Sequence, residues 1–375
     1  MHVRVVVPVK EIVRRVGARF MVGFDGFTVS PELRHLIGAF GVGQVILFSR
    51  NVDAPEQVAE LVRELQSAAR EAGRDAPLLV AVDQEGGRVA RLKDPWTAWP
   101  PLRSLGRLGS EDLARRMGEA LAEELAPCGI RWNLAPVVDV DTNPANPVIG
   151  DRSFGDDPEL VGRLAVAMIQ GLQGSGVAAC AKHFPGHGDT NIDSHLGLPC
   201  VDHPKVRLEE VELRPFRKAI QAGVAGIMTA HVLVRELDDR RPATLSPLVI
   251  EAVLRRQMGY QGVVISDDLE MQAVAERWRP AEAAVLAAVA GCDVLAVCAS
   301  HQAQVEAIEG VIRAVESGAI GWQALEEADR RIDRLKERFL SPYRGPEPRR
   351  AREAAGAAEH RQLARLIDPG EGALA

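Results

Sequence analysis

The chain reads as an α/β protein, a (β/α)8 TIM barrel forming a single catalytic domain. Three observations predict this. Eight short Val/Ile/Leu-rich runs recur along the 375 residues, and most are followed by a polar turn and an amphipathic stretch. Polar residues collect at the C-terminal ends of those runs. No G-x-G-x-x-G follows the first run, which weakens a dinucleotide-binding sheet as the alternative.

The runs are residues 20–24, 43–50, 77–84, 130–140, 177–184, 225–232, 262–268 and 292–298. Their near-continuous apolar character suits parallel strands covered on both faces. Crossover helices are predicted over Pro55 to Glu71, Ser110 to Ala126, Asp157 to Gln173 and Leu208 to Ala222. Eight such units in about 300 residues fit a closed barrel, whose usual size is about 250. Residues 1–340 are assigned to the barrel. Residues 341–375 form a Pro-rich, then partly helical tail, too short to be a separate domain. The stretch from Asp141 to Asp156 is a long Pro/Asn/Gly-rich connection, a length that usually carries function in a compact domain.

Composition excludes several function classes. Hydrophobic residues make up 46% and charged residues 26%, as in ordinary globular proteins. A net charge of -7 argues against a nucleic-acid partner, which calls for a basic face. The apolar run near the N-terminus, Val5 to Val9, is too short for a signal-peptide core, and no segment reaches the length of a membrane span. Five cysteines without a C-x-x-C pair point to a reduced, cytoplasmic protein with no disulfide framework. The expected state is a monomer with no membrane contact.

Chemistry gathers at five strand ends: Asp83-Gln84-Glu85, Asp139 with Asp141, Lys182-His183, Thr229 with His231, and Ser266-Asp267-Asp268. Capping of the following helix could explain "SDD" alone. Five loaded ends together read as one pocket for a polar, mostly uncharged ligand. Carboxylates, histidines and an Arg/Lys pair, without a phosphate cradle or G-x-S-x-G, fit polyol recognition and glycosidic bond chemistry. Adjacent strand residues point to opposite sides, so only one of Asp267 and Asp268 can face the pocket. Asp267 is chosen as the nucleophile because Val263 and Ile265 share its parity and would line the interior. In "DTNIDSHLG", Asp193 and His195 stand at i and i+2, close enough for the carboxylate to orient the imidazole as a proton carrier.

Other residues in these segments have blander readings. A metal held by His183, His187, Asp189 and His195 is disfavoured, since the loop lacks zinc-hydrolase spacing; no metal or cofactor is expected. Asp189 and Thr190 tie the loop down through backbone hydrogen bonds, while Gly186 and Gly188 permit its tight path. Glu85 and Arg88 pair within their own turn, and Asp139 supports Arg152. His231 either packs behind the site or touches ligand. Trp96 and Trp99 cover a barrel edge, with a sugar-stacking wall as the alternative.

Four motifs, "VDQEGGRVARL", "GDRSFG", "KHFPGHGDTNIDSH" and "ISDDLEM", occur in the order seen in one family. From about Val16 to Leu340 the chain resembles glycoside hydrolase family 3, in its β-N-acetylhexosaminidase branch. The resemblance implies a retaining hydrolase that removes terminal β-linked N-acetylglucosamine from peptidoglycan fragments during cell-wall recycling. It implies Asp267 as nucleophile and His195, supported by Asp193, as acid/base. Asp83, Arg91, Arg152, Lys182 and His183 match positions that hold sugar hydroxyls. Sister β-glucosidases are understood to carry a glutamate acid/base on a further C-terminal domain, so the short tail and the Asp-Ser-His sequence point to the same branch. A β-glucosidase-like or phosphorolytic member, a non-catalytic sugar-binding barrel and a metal-dependent aldolase or amidohydrolase remain as alternatives.

Overall fold

A computed structural model describes residues 8–191, 193 and 197–368. The eight runs become eight parallel strands: β1 (Phe20–Val22), β2 (Gln44–Leu47), β3 (Leu79–Val82), β4 (Trp132–Asn133), β5 (Ala178–Phe184), β6 (Gly226–Thr229), β7 (Val263–Ile265) and β8 (Leu295–Val297). They are hydrogen-bonded in the order β7, β6, β5, β4, β3, β2, β1, β8. A parallel bridge between Ile265 and Val294 joins the two ends, so the sheet closes into a barrel.

Register explains which residues face inward. Met21 pairs with Gln44 and Gln44 with Leu79; Ala81 pairs with Trp132 and Trp132 with Ala178. Paired residues in a parallel sheet share a face. Apart from Gln44, these side chains belong to an inner cluster that includes Val263 and Ile265, as the parity argument required. The opposite strand faces pack under the surrounding helices in a second, larger cluster.

The helix Trp322–Leu340 lies across the N-terminal end of the barrel. Its Ile332, Leu335, Phe339 and Leu340 join the inner cluster. Lys336 Nζ donates to the carbonyls of Gly43 and Pro77, which precede β2 and β3. Arg334 and Arg338 donate likewise to Gln261 and Gly223, ahead of β7 and β6. The barrel is thereby closed at its base.

The helix Pro55–Glu71 has the expected bounds, and Ser110 and Asp157 cap Glu111–Leu125 and Pro158–Gly174 by accepting backbone N–H bonds. The fourth expected helix is split into Lys205–Glu210 and Leu213–Gln221. Pro215 accounts for the break, because proline is accommodated in a first turn and disrupts a helix interior.

The tail forms two helices, Pro348–Ala354 and Ala358–Ile367, laid against the barrel. Their clamp is Glu124, 2% exposed, which accepts from Thr97, from Trp99 Nε1 and from the Gly356 amide. His360 bridges Glu124 and Glu123 at 3.3 and 2.9 Å. Trp96 and Trp99 are buried here and do not line the main pocket, which rules out the stacking wall. Burial opposes charge on His360, but hydrogen bonds to Glu124 and Glu123 outweigh it and raise its pKa. A raised histidine pKa stabilises fully below its ordinary value of about 6.5 and fades as pH climbs through the raised one. The stability advantage of wild type over His360→Gln in urea should therefore shrink between about pH 6 and about pH 9. An advantage that grows over that range would contradict the clamp.

Candidate active site

A cavity of about 650 Å³ opens at the C-terminal ends of the strands. It collects all five positions expected to hold the sugar, Asp83, Arg91, Arg152, Lys182 and His183, together with Asp267.

They arrive from four stretches of backbone: the β3 end with its hairpin, β5, the connection after β4, and the end of β7. Asp83 directly follows β3. Gln84–Gly86 and Val89–Ala90 then form a small hairpin whose tip, Gly86 and Gly87, takes φ of +105° and +56°. The side chain of Gln84 staples the hairpin by bonding Leu92 and the Arg91 amide. Lys182 and His183 come from β5, whose register shifts between Ala181 and Phe184; the peptide between them is cis. Arg152 enters from the long connection after β4. Asparagine 146 holds that connection to the next loop, bonding His187 O and Thr190 Oγ1 while accepting from Val148 and Ile149.

Charge pairing locks the set. Lys182 Nζ lies 2.7 Å from Asp83 Oδ1 and 2.6 Å from Glu85 Oε1. Arg152 grips Glu85 with two bonds, 2.9 and 2.8 Å. Arg91 approaches Asp83 at 3.8 Å and lies over the Phe48 ring. Burial alone would push the Glu85 carboxyl up, yet Arg152 and Lys182 hold it well below the usual carboxylate range. Both cations are raised in turn, against the cost of burial, mainly by Glu85 for Arg152 and by Asp83 and Glu85 for Lys182.

One sequence expectation is corrected by this geometry. Glu85 does not pair with Arg88: the glycine tip sends Arg88 outward to Asp151 and the Val148 and Ile149 carbonyls, and Glu85 inward to the cations. Asp139 supports Arg152 through its charge, as expected, without a hydrogen bond to it. Fully buried, it accepts from the amides of His183 and His187 and from His183 Nδ1 at 2.7 Å. A carboxylate only accepts, so Nδ1 carries the proton and Nε2 is left to accept from Arg152 at 3.4 Å.

Asp267 follows β7, and its Oδ1 accepts from the Asp268 amide at 2.8 Å. Burial raises its pKa, but His231, His183, the Asp268 amide and Lys182 outweigh that and leave it below the ordinary aspartate value. Asp268 behaves oppositely: burial and the charges of Glu270 and Asp267 push it up to about 7. Two adjacent carboxyls in one pocket are thus set apart by surroundings. Both line the cavity, so the expectation that only one would reach it is corrected. Asp268 differs in being turned onto backbone, accepting from Glu270 N and Cys298 N.

The loop after β5 is tied down at its start. Thr190 Oγ1 donates to His187 O, and Gly188 packs so closely that a Cβ there would lie 1.8 Å from Val140 O. Asp189 also binds the His203 side chain. Burial and His183 lower the His187 pKa to about 4, which keeps the ring neutral at ordinary pH. Among the described residues no three His, Cys, Asp or Glu side chains are grouped to hold a metal ion. Asp193 is described and half-buried; His195 lies outside the described residues. No helix among the described residues is long and apolar enough to cross a membrane.

This arrangement has counterparts. "Beta-hexosaminidase A" of Pseudoalteromonas piscicida is 36% identical over 90% of this chain, which spans 60% of that protein's length. A solved glycoside hydrolase family 3 β-N-acetylglucosaminidase from Paenibacillus sp. is 42% identical with a TM-score of 0.88, covering 94% of this chain and 67% of that one. NagZ from Neisseria gonorrhoeae, solved in complex with N-trifluoroacetyl-D-glucosamine, is 31% identical with a TM-score of 0.76, covering 93% of this chain and 96% of that one. Residues 10–335 match the family described as "Glycosyl hydrolase family 3 N terminal domain". A closed parallel barrel, a carboxylate after its seventh strand and this extent of likeness establish that the chain belongs to glycosyl hydrolase family 3.

Proposed function

We propose that this chain is a retaining β-N-acetylhexosaminidase that releases terminal non-reducing β-linked N-acetylglucosamine. The observation that carries the reading is the ionised Asp267 carboxylate sharing one cavity with the locked Asp83, Arg91, Arg152, Lys182 and His183 set. Relatives named for hexosaminidase activity support it. Peptidoglycan fragments as substrate, and a monomer working in the cytoplasm, follow from the family resemblance.

In this mechanism Asp83 accepts hydrogen bonds from sugar hydroxyls while Arg152, Lys182 and Arg91 donate. Asp267 attacks C1 from the α face and the glycosidic C–O bond breaks, giving a covalent α-glycosyl aspartate. His195, oriented by Asp193, gives its proton to the departing oxygen. The same imidazole then takes a proton from water, which attacks C1, breaks the ester and returns Asp267 as carboxylate with the β configuration retained. An aspartate held ionised and a partner that can hold a proton near neutrality are what the two half-reactions require.

The test compares hydrolysis of chromogenic β-N-acetylglucosaminide and β-glucoside by wild type and by His195→Ala. Wild type should strongly prefer the N-acetylglucosaminide, and His195→Ala should be slower on it by about 100-fold or more. Equal or preferential cleavage of the glucoside would overturn the branch assignment. Full activity of His195→Ala would remove that residue from the proton role.

A further inference from the structure

His231 is buried at the end of β6, and neither the hydroxyl grip nor the proton transfers use it. Its two ring nitrogens have different partners: Nε2 stands 2.8 Å from the Asp268 carbonyl and Nδ1 stands 2.9 Å from Thr244 Oγ1. A carbonyl only accepts, so Nε2 carries a proton. Thr244 is itself fixed, donating to Ala230 O at 2.9 Å and accepting from Thr229 Oγ1 at 3.0 Å. With its one proton given to Ala230 O, Thr244 can only accept from a protonated Nδ1; a bare Nδ1 would need that proton and would release Ala230 O.

Asp268 is a junction. Its amide donates to Asp267 Oδ1, its carboxylate ties β7 to β8 through Cys298 N, and its carbonyl is held by His231. We propose that His231 is a positioning residue for the nucleophile, acting on Asp267 through the Asp268 backbone and through its own charge. The proposal rests on the reading of Asp267 as nucleophile. His231 touches neither sugar nor reacting atoms in this role.

The charged and titratable groups facing Asp267 include His231 from β6, Lys182, His183 and Cys180 from β5, His187 from the loop after β5, Cys298 after β8, and Asp268 beside it. Of these, His231 does most to oppose the effect of burial on Asp267. Loss of the imidazole therefore makes Asp267 hold its proton to higher pH. A nucleophile that must be ionised then fails sooner on acidification, so the acid limb of kcat/KM moves to higher pH.

The test measures kcat, KM and the pH profile of wild type, His231→Ala, His231→Gln and Thr244→Val. Gln replaces the Nε2 donor without a charge, and Val removes the ring's support while keeping His231. His231→Ala should lose about 100-fold in kcat with KM nearly unchanged, as expected for a misplaced reacting group over an intact sugar grip. His231→Gln should recover about tenfold of that loss, yet keep the acid limb displaced upward. Thr244→Val should lower kcat severalfold at constant KM. Unmoved acid limbs in folded His231 variants, or losses carried by KM alone, would overturn the proposal. If both His231 variants fail to fold, an unchanged kcat in Thr244→Val would overturn it. Wild type inactive on the N-acetylglucosaminide would instead sink the functional reading, and the same variant ratios would then be read on whichever β-glycoside is cleaved.

Discussion

Asp267→Asn should fold like wild type and lose turnover by about 10⁴-fold or more, the loss typical when a covalent nucleophile is removed. Asn keeps shape and the hydrogen bond from the Asp268 amide, but it has no charge and cannot form a hydrolysable ester at C1. The prediction is sharp because Asp267 is held below the ordinary aspartate pKa, so its charge is present throughout the neutral range. Turnover by pre-steady-state and steady-state assay on the chromogenic N-acetylglucosaminide gives the number. A second variant asks whether Asp267 attacks or merely stabilises charge. Asp267→Ala leaves space on the α face, and added azide should enter there, displace the aglycone and give the α-glycosyl azide. Azide rescue with a β product would remove Asp267 from the nucleophile role, and near-normal hydrolysis by Asp267→Asn would do so directly.

Glu85→Ala should damage fold and site together. Glu85 is 1% exposed and balances Arg152, whose side chain is 11% exposed, and the buried Lys182. Removing one member of a buried charged set leaves the others uncompensated, at a cost of about 3 to 5 kcal/mol. Urea denaturation should register that cost, and KM should rise as Arg152 and Lys182 lose their shared anchor. The pH dependence has a definite sign. A carboxyl held below its ordinary value stabilises above that value, about 4.3, and loses its contribution only as pH falls through the depressed one. The gap between wild type and Glu85→Ala should therefore be flat from about pH 6 to about pH 8 and close only in strong acid. A gap that vanishes on mild acidification would mean the Glu85 charge is not locked by its partners.

Glu85 also marks where sequence reasoning stops. Eight apolar runs, five of them with chemically loaded ends, were enough to place the barrel and its mouth. Period two along β7 was enough to put Asp267 over Val263 and Ile265. Both inferences depend on local periodicity, which survives in any correctly folded context. The partners of Glu85 depend on where two glycines with positive φ turn the chain, and on which cations arrive from β5 and from the β4 connection more than sixty residues away. Sequence spacing favoured Arg88, three positions on, and the turn geometry reversed that choice. Asp139 adds its charge to the support of Arg152 as expected, but its hydrogen-bond partner His183 comes from the neighbouring strand and could not be read from spacing. One signal was available: two consecutive strand ends bearing Asp139 and Lys182-His183 must lie side by side in a barrel of sequential parallel strands. The split in the helix predicted over Leu208 to Ala222 was also legible, in Pro215.

With the helix Trp322–Leu340 packed across its base, the barrel is, among the described residues, a well open at the C-terminal ends of its strands. On the proposed mechanism a sugar bonded to Asp267 would sit beneath whatever it was attached to, and departure would be ordered: the leaving group first, then water inward by the same route, then the sugar. Only the free end of a chain can descend far enough to react, because an internal residue would need a second exit for the strand beyond it. Free sugar in solution occupies the place the next substrate end must take. An enzyme working as proposed would shorten its substrates one unit at a time and slow as its own product accumulates.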